Sequence, residues 1–423
     1  MKVIINPPKS QWPSLCLRPQ IELDFLDGSV KNILNRVRKS GDEAIRELTL
    51  QFDKVQIINL QVTPNEIEEA ITEVSASLKS AILSAVKNIE VFHAAQKRSV
   101  EKIETMPGVT CWRKPTPIQK VGIYIPGGSA PLFSTVLMLG VPARLAGCEE
   151  IILCTPPDKS GKINPAILFA AHLTGIKKIY KVGGAQAIAA MAFGTESIPS
   201  VSKIFGPGNQ YVTKAKQLIS QEGIAIDMPA GPSEVLIIAD KEANPTFVAA
   251  DLLSQAEHGV DSQVVLATTD GNLGDKVAEE IEKQITELPR KELAQEALKN
   301  SLSLQFNNQT DLIEFVNEFA PEHLIINTTD CNQLVDKIIN AGSIFLGPYT
   351  PEAAGDYASG TNHTLPTNGF AKAFGGVSLE SFTKYITVQQ ISKSGLELLG
   401  PIIEEMAEAE QLKGHAMAVR VRR

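Results

Sequence analysis

VGIYIPGG, residues 121–128, reads as an apolar strand that ends in a glycine turn. The pattern recurs as EEIILCTPP (149–157), KIYKVGG (178–184) and SKIFGPG (202–208), each an apolar run closed by Gly or Pro. Helical patterns fill the gaps: one around Pro165–Leu173, then AQAIAAMAFG (185–194), then NQYVTKAKQLISQEG (209–223). Strands alternating with helices at short intervals imply a parallel sheet covered on both faces. A second array follows. EVLIIAD (234–240) is a continuous apolar strand, and Asn244-Pro245 opens a helix that runs to Gly259. QVVLATTD (263–270), a helix over 275–288, LIINTT (324–329), DCNQLVDKIINAG (330–342) and GSIFLGP (342–348) continue the alternation.

Upstream of Val121 the rhythm is helical. Residues 30–52 carry apolar side chains at helical spacing with a break at Ser40-Gly41, and 64–96 form a longer helical stretch. From Ser392 the tail is helical again. The fold class is therefore α/β: two parallel-sheet Rossmann-like domains with helical N-terminal and C-terminal extensions. The expected division is an N-terminal segment (1–20), an α/β domain from 21–122 plus 235–380, a second α/β domain at 123–234, and a helical tail (381–423).

Composition narrows the function classes. The chain has 423 residues, long enough for two or three domains, and a net charge of −8, which argues against a nucleic-acid partner. No apolar run approaches the ~18 residues of a membrane span, and the proline-broken N-terminus lacks a signal-peptide core. The five cysteines are scattered and never spaced CxxC, which excludes a disulfide framework and a thiolate zinc site. A cytoplasmic, mildly acidic enzyme is the expectation.

The chemistry-bearing residues gather in the second array. In NPTFVAADLLSQAEHG (244–259), Phe247, Val248, Leu252 and Leu253 form the apolar stripe, and Gln255 and His258 share a face near the helix end. Alone, that pair reads more readily as a polar patch than as metal ligands. Four of the six histidines, His258, His323, His363 and His415, lie in the C-terminal part of the chain. His323 follows Glu322 in a proline-led turn, Asp356 and His363 share a loop rich in small residues, and His415 follows Glu410 by five residues. Any one of them alone is most simply a histidine bonded to backbone. Together they are consistent with a Zn²⁺ site of nitrogen and oxygen ligands. The turns IPGGSAP, KVGGAQ and FGPGN follow strands, where open α/β sheets bind ligands. No GxGxxG occurs, so the usual dinucleotide fingerprint is absent.

Eight words in order resemble one family: VGIYIPGGSAPLFSTVLM, GGAQAIAAMAFGT, KIFGPGNQYV, DMPAGPSEVLIIAD, DLLSQAEHG, APEHL, GDYASGTNHTLPT and EQLKGHAMAV. They are the words of the histidinol dehydrogenases, and they span the chain from about residue 20 to its end. The resemblance implies that Gln255, His258, Asp356 and His415 hold one Zn²⁺ and that Glu322 and His323 are the catalytic acid–base pair. It implies that Ser233, His363 and Glu410 hold the substrate beside the metal ligands and His323. Tyr124, Gln186 and Asn209 match NAD-contacting positions, in a variant Rossmann-like domain at 123–234. The zinc and catalytic residues would then belong to the domain of 21–122 plus 235–380.

The implied reaction is L-histidinol plus two NAD⁺ and water to L-histidine plus two NADH. Zinc takes no electrons, so hydride passes to the nicotinamide. The resemblance also implies a homodimer with shared active sites, in which the tail at 381–423 crosses to complete the partner's zinc site. Three other readings compete: a dehydrogenase of another amino or sulfonated alcohol, a zinc hydrolase with Glu322 activating water, and a non-catalytic metal-binding protein. The hydrolase leaves the glycine turns without a purpose. The non-catalytic protein leaves Glu322-His323 unexplained.

Overall fold

The computed structural model describes all residues except 20–25, 128–130 and 229–230. The end of the IPGGSAP turn, and the start of the expected domain at 21, therefore lie outside the described residues. The strands are β1 (Lys2–Ile5), β2 (Lys102–Met106), β3 (Val109–Pro117), β4 (Lys120–Tyr124), β5 (Glu150–Thr155), β6 (Lys178–Lys181) and β7 (Lys203–Phe205). They continue as β8 (Ala225–Ile226), β9 (Glu234–Ala239), β10 (Gln263–Thr268), β11 (Leu302–Gln305), β12 (His323–Asn327), β13 (Ser343–Leu346) and β14 (Thr383–Ile391).

Two parallel sheets carry the molecule. One has the order β6-β5-β4-β7-β8, and the other β1-β11-β10-β9-β12-β13. Every residue of β9 is buried, as a central parallel strand requires. The N-terminal segment does not stand apart as expected. β1 pairs with β11 as an edge strand, and Trp12 packs edge-on against Phe306 and Phe315 beneath the same sheet.

The helices of the first third are also placed differently from the expectation. They cover the five-stranded sheet, not the six-stranded one. Asp27–Phe52 joins the core of Gly184–Phe193 and Gln210–Ser220 on one face. Pro64–Glu73 and Ala76–Ala94 join Phe133–Ala146 and Pro165–Thr174 on the other. The reason lies in the inner helices. AQAIAAMA (185–192) is buried throughout and apolar except for Gln186, and such a helix needs an outer layer between it and water. The break expected at Ser40-Gly41 is present: Gly41, at φ +48° and ψ −127°, is not helical, and two helices meet across a kink there within Asp27–Phe52.

A third sheet, β14-β3-β2, is antiparallel and was not expected. Residues 383–391 of the presumed helical tail are its strand β14. Beyond it, Lys393–Ala409 and Lys413–Arg420 form the helical part of the tail. Among the described residues no helix is long and apolar enough to cross a membrane.

Candidate active site

Opposite ends of the two parallel sheets meet here. The C-terminal ends of β4 and β7 face the N-terminal ends of β9 and β12, so the second sheet departs from the usual placement at strand C-termini.

On the first sheet lies a groove of about 740 Å³. Tyr124, Gln186 and Asn209 all line it, with the turns at Pro126-Gly127 and Gly184. Tyr124 ends β4, and its hydroxyl accepts from the Gly184 N–H at 3.0 Å. Burial pushes that phenol up to about 12, so it remains protonated. Asn209 caps the helix Gln210–Ser220, its side-chain oxygen accepting from the N–H groups of Tyr211 and Val212 at 3.1 Å each. The helix Asp27–Phe52 supplies Ser29, Asn32 and Arg36 to the same groove, residues the sequence reading did not single out.

The turn Gly206-Pro207-Gly208-Asn209 separates this groove from a second cavity of about 230 Å³. Gly206 sits at φ +124°, and a Cβ there would lie 2.0 Å from the Tyr124 carbonyl oxygen, so only glycine fits. Lys216 donates to the Gly206 carbonyl and pairs with Asp227, whose other oxygen accepts from the Gly206 N–H at 2.9 Å.

The second cavity gathers Ser233, His258, Glu322, His323, Asp356 and His363. Parallel pairing of β9 with β12 puts Glu234 beside Glu322-His323, although 88 residues separate Glu234 from Glu322. The Glu234 N–H donates to Glu322 Oε2 at 2.9 Å, and His323 Nδ1 lies 3.2 Å from the Glu234 carbonyl oxygen. A carbonyl only accepts, so Nδ1 carries the proton and the neutral ring keeps its lone pair on Nε2. Nε2 is buried without a hydrogen-bond partner, 3.6 Å from Asp356 Oδ1. That separation allows charge attraction and is too long for a hydrogen bond. Burial alone would lower the pKa of His323. The carboxylates of Glu322, Glu352 and Asp356 outweigh it and hold the ring well above its ordinary value, which favours the imidazolium in the metal-free site. A cation bound beside Asp356 would offset those charges and release Nε2 as a base. Burial likewise opposes ionisation of Asp356, but His323, His363 and His258 keep its carboxyl below the usual range.

Gln255 is fully buried behind the cavity wall. In the orientation that satisfies both ends of its amide, the nitrogen donates to Glu352 and the oxygen accepts from the Glu234 N–H at 3.1 Å, a proton that it shares with Glu322 Oε2. Glu352 is a residue the sequence reading missed. It lies four positions before Asp356 on one short helix, and burial pushes its carboxyl up to about 8. Ligand atoms of His323, Glu352 and Asp356 lie within 4.8 Å of one another. Glu322 and Glu352 are buried and Asp356 is partly buried around one imidazole, and the negative charge that they would carry together is more than a low-dielectric site tolerates, so Glu352 holds its proton. A divalent cation among nitrogen and oxygen donors would offset that charge, so the residues fit a metal such as Zn²⁺.

His363 is less available to a ligand than expected. Its Nδ1 donates to the Asp356 carbonyl at 2.9 Å and its Nε2 meets the Thr135 hydroxyl at 3.1 Å. Glu410 and His415 are not brought to the cavity by their own chain. Both are exposed on the tail. All five cysteines are free.

The histidinol dehydrogenase family profile matches residues 17–423. The chain is 58% identical over 422 residues to the histidinol dehydrogenase of Bacteroides fragilis strain YCH46, covering 100% of this chain and 99% of that one. It is 52% identical over 415 residues to that of Salmonella typhimurium strain LT2, covering 97% and 95%. The crystal structure of histidinol dehydrogenase from Elizabethkingia anophelis superposes with a TM-score of 0.98 at 56% identity, covering 100% and 98%. Neither the hydrolase nor the non-catalytic reading has support among these relatives. The chain belongs to the histidinol dehydrogenase family, NAD-dependent oxidoreductases acting on an alcohol and its aldehyde.

Proposed function

We propose that this enzyme oxidises L-histidinol to L-histidine through histidinal, using one Zn²⁺ per subunit and two NAD⁺ per turnover, as the last step of histidine biosynthesis. The observation that carries the reading is the free Nε2 of His323, buried among three carboxylates one glycine turn away from the cofactor groove.

Gln255, His258 and Asp356, with His415 of the partner subunit, would hold the metal. Zn²⁺ held there would supply a Lewis acid for the substrate's nitrogen groups. NAD in the groove of Tyr124, Gln186 and Asn209 supplies the hydride acceptor. The chain's own groups move the protons. His323 Nε2 takes the hydroxyl proton in the first oxidation, while Nδ1 stays bonded to the Glu234 carbonyl. Glu322 activates water on the aldehyde, and His323 acts again on the resulting gem-diol. Ser233 lines the cavity where the substrate would lie, and Glu410 and His363 complete its surroundings.

A homodimer with exchanged tails would bring His415 and Glu410 to the partner's cavity. In one chain the tail exposes Leu398, Ile402, Met406, Met417 and Val421, an apolar face without a partner. Five free cysteines fit a reducing, cytoplasmic setting. The decisive experiment follows absorbance at the NADH band on adding histidinol. Two NADH per histidinol support the reading; none, with Zn²⁺ present, removes it.

A further inference from the structure

We propose that Glu234, held by Arg18, is the positioning residue for Glu322 and His323. The functional part of this rests on the reaction proposed above.

At the N-terminal edge of a parallel sheet the first N–H groups have no strand partner. β9 and β12 solve this reciprocally. The Glu234 N–H donates to the Glu322 carboxylate at 2.9 Å, and the Glu322 N–H donates to the Glu234 carboxylate at 3.2 Å. The Glu234 carbonyl also accepts a hydrogen bond from His323 Nδ1. One residue thus orients the carboxylate of Glu322, the peptide that carries it, and the tautomer of its neighbour.

A fully buried carboxylate needs a charge partner. Arg18 meets Glu234 with both prongs, Nε to Oε2 at 2.6 Å and Nη2 to Oε1 at 3.0 Å, and the two side chains are 4% and 0% exposed. Arg18 donates as well to the Phe319 carbonyl, and its guanidinium lies 3.5 Å from the Phe319 ring centroid. Phe319 ends a helix, and Ala320 follows it in the left-handed region at φ +51°, which a non-glycine residue adopts only when held. Arg18 therefore grips the bend 319–322 at both ends: directly at Phe319, and through Glu234 at Glu322. An N-terminal residue more than 300 positions away sets the catalytic turn.

The test uses the full-length enzyme and two readouts. The first is amide hydrogen exchange over 319–324, which needs no substrate. Glu234→Ala should speed exchange there at least tenfold while segments lining the cofactor groove keep wild-type rates. Glu234→Gln, which still offers an oxygen to the Glu322 N–H, should restore most of the protection. Arg18→Lys keeps the charge without the fork, and should fall between them even if Glu234→Ala fails to fold. Unchanged exchange in these variants overturns the proposal whatever the enzyme oxidises. The second readout is a kinetic cycle with histidinol. Glu234→Ala should lower kcat about a hundredfold, the scale of an ångström-sized misplacement, with NAD affinity and bound zinc unchanged. In a His323→Ala background the same change should cost under threefold, because the first oxidation then limits turnover, its base is gone, and Glu322 serves only the later aldehyde step. An equal loss in both backgrounds, or zinc lost in step with activity, would mean that Glu234 does not act through the pair. Wild-type enzyme inert toward histidinol would count against the reaction alone.

Discussion

His323 Nδ1 and the carbonyl oxygen of Glu234 lie 3.2 Å apart, and this one contact fixes which ring nitrogen does chemistry. A proton on Nδ1 leaves Nε2 as the base. Nε2 faces Asp356 with no hydrogen bond to compete for its lone pair.

The two steps should therefore separate by mutation. His323→Ala is expected to slow histidinol oxidation by about 10²–10⁴-fold, the range for a lost general base. Glu322→Gln should impair mainly the aldehyde step, because only that half-reaction needs an activated water. Supplying histidinal to each variant distinguishes them. Normal histidinal oxidation by Glu322→Gln would remove Glu322 from the second step.

Chelating the metal should abolish turnover and leave NAD affinity within about twofold. The groove residues stand on the five-stranded sheet, whereas Gln255, His258 and Asp356 stand on the other, with the Gly206–Asn209 turn between them. Equilibrium binding of NAD before and after chelation checks this. Parallel loss of both would show that the two sites are one.

Oxidation of the aldehyde should not pass through a thiol. Burial pushes Cys148 up to about 12 and Cys16 up to about 11, and Cys154 is fully buried. A thiol near 12 is about 10⁴-fold short of thiolate at pH 8, and its alkylation should rise roughly tenfold per pH unit above that. Cys148→Ala should keep most of its turnover, and iodoacetamide at pH 8 should leave activity intact. Rapid inactivation under those conditions would restore the covalent route.

Most parallel strands were legible because they are short apolar runs closed by Gly or Pro: β5, β6, β7, β9, β10 and β13 lie within the stretches so read, and β4 and β12 begin one residue before theirs. The short parallel strands β1, β8 and β11 were not read. β3 was not, since KPTP (114–117) carries prolines that argue against a central strand. The structure reconciles this. β2 pairs only with 109–112, so Pro115 and Pro117 face a neighbour on one side alone. The words pointed to Gln255, His258, Glu322, His323 and Asp356, and the structure brings the last four to one cavity with Gln255 behind its wall. Glu352 had a usable signal, its i, i+4 spacing to Asp356. Glu234 and Arg18 had none, because what matters about them is strand pairing across 88 residues and an ion pair across 216. No local period encodes either.

The last prediction concerns the tail. β14 fastens to β3, and the helices Lys393–Ala409 and Lys413–Arg420 lean on each other, so His415 and Glu410 stay exposed within one chain. If each tail completes the partner's site, lesions in core and tail should complement. His415→Ala and His323→Ala, each nearly inactive alone, are unfolded, mixed in equal amounts and refolded. In a mixed dimer, the intact core of one chain meets the intact tail of the other, and the second site collects both lesions. Random pairing makes about half of the dimers mixed, so about a quarter of wild-type activity should return. A tail that folds back on its own chain leaves one lesion in every site. Activity would then stay at the level of the separate variants, and the exchanged dimer would be wrong.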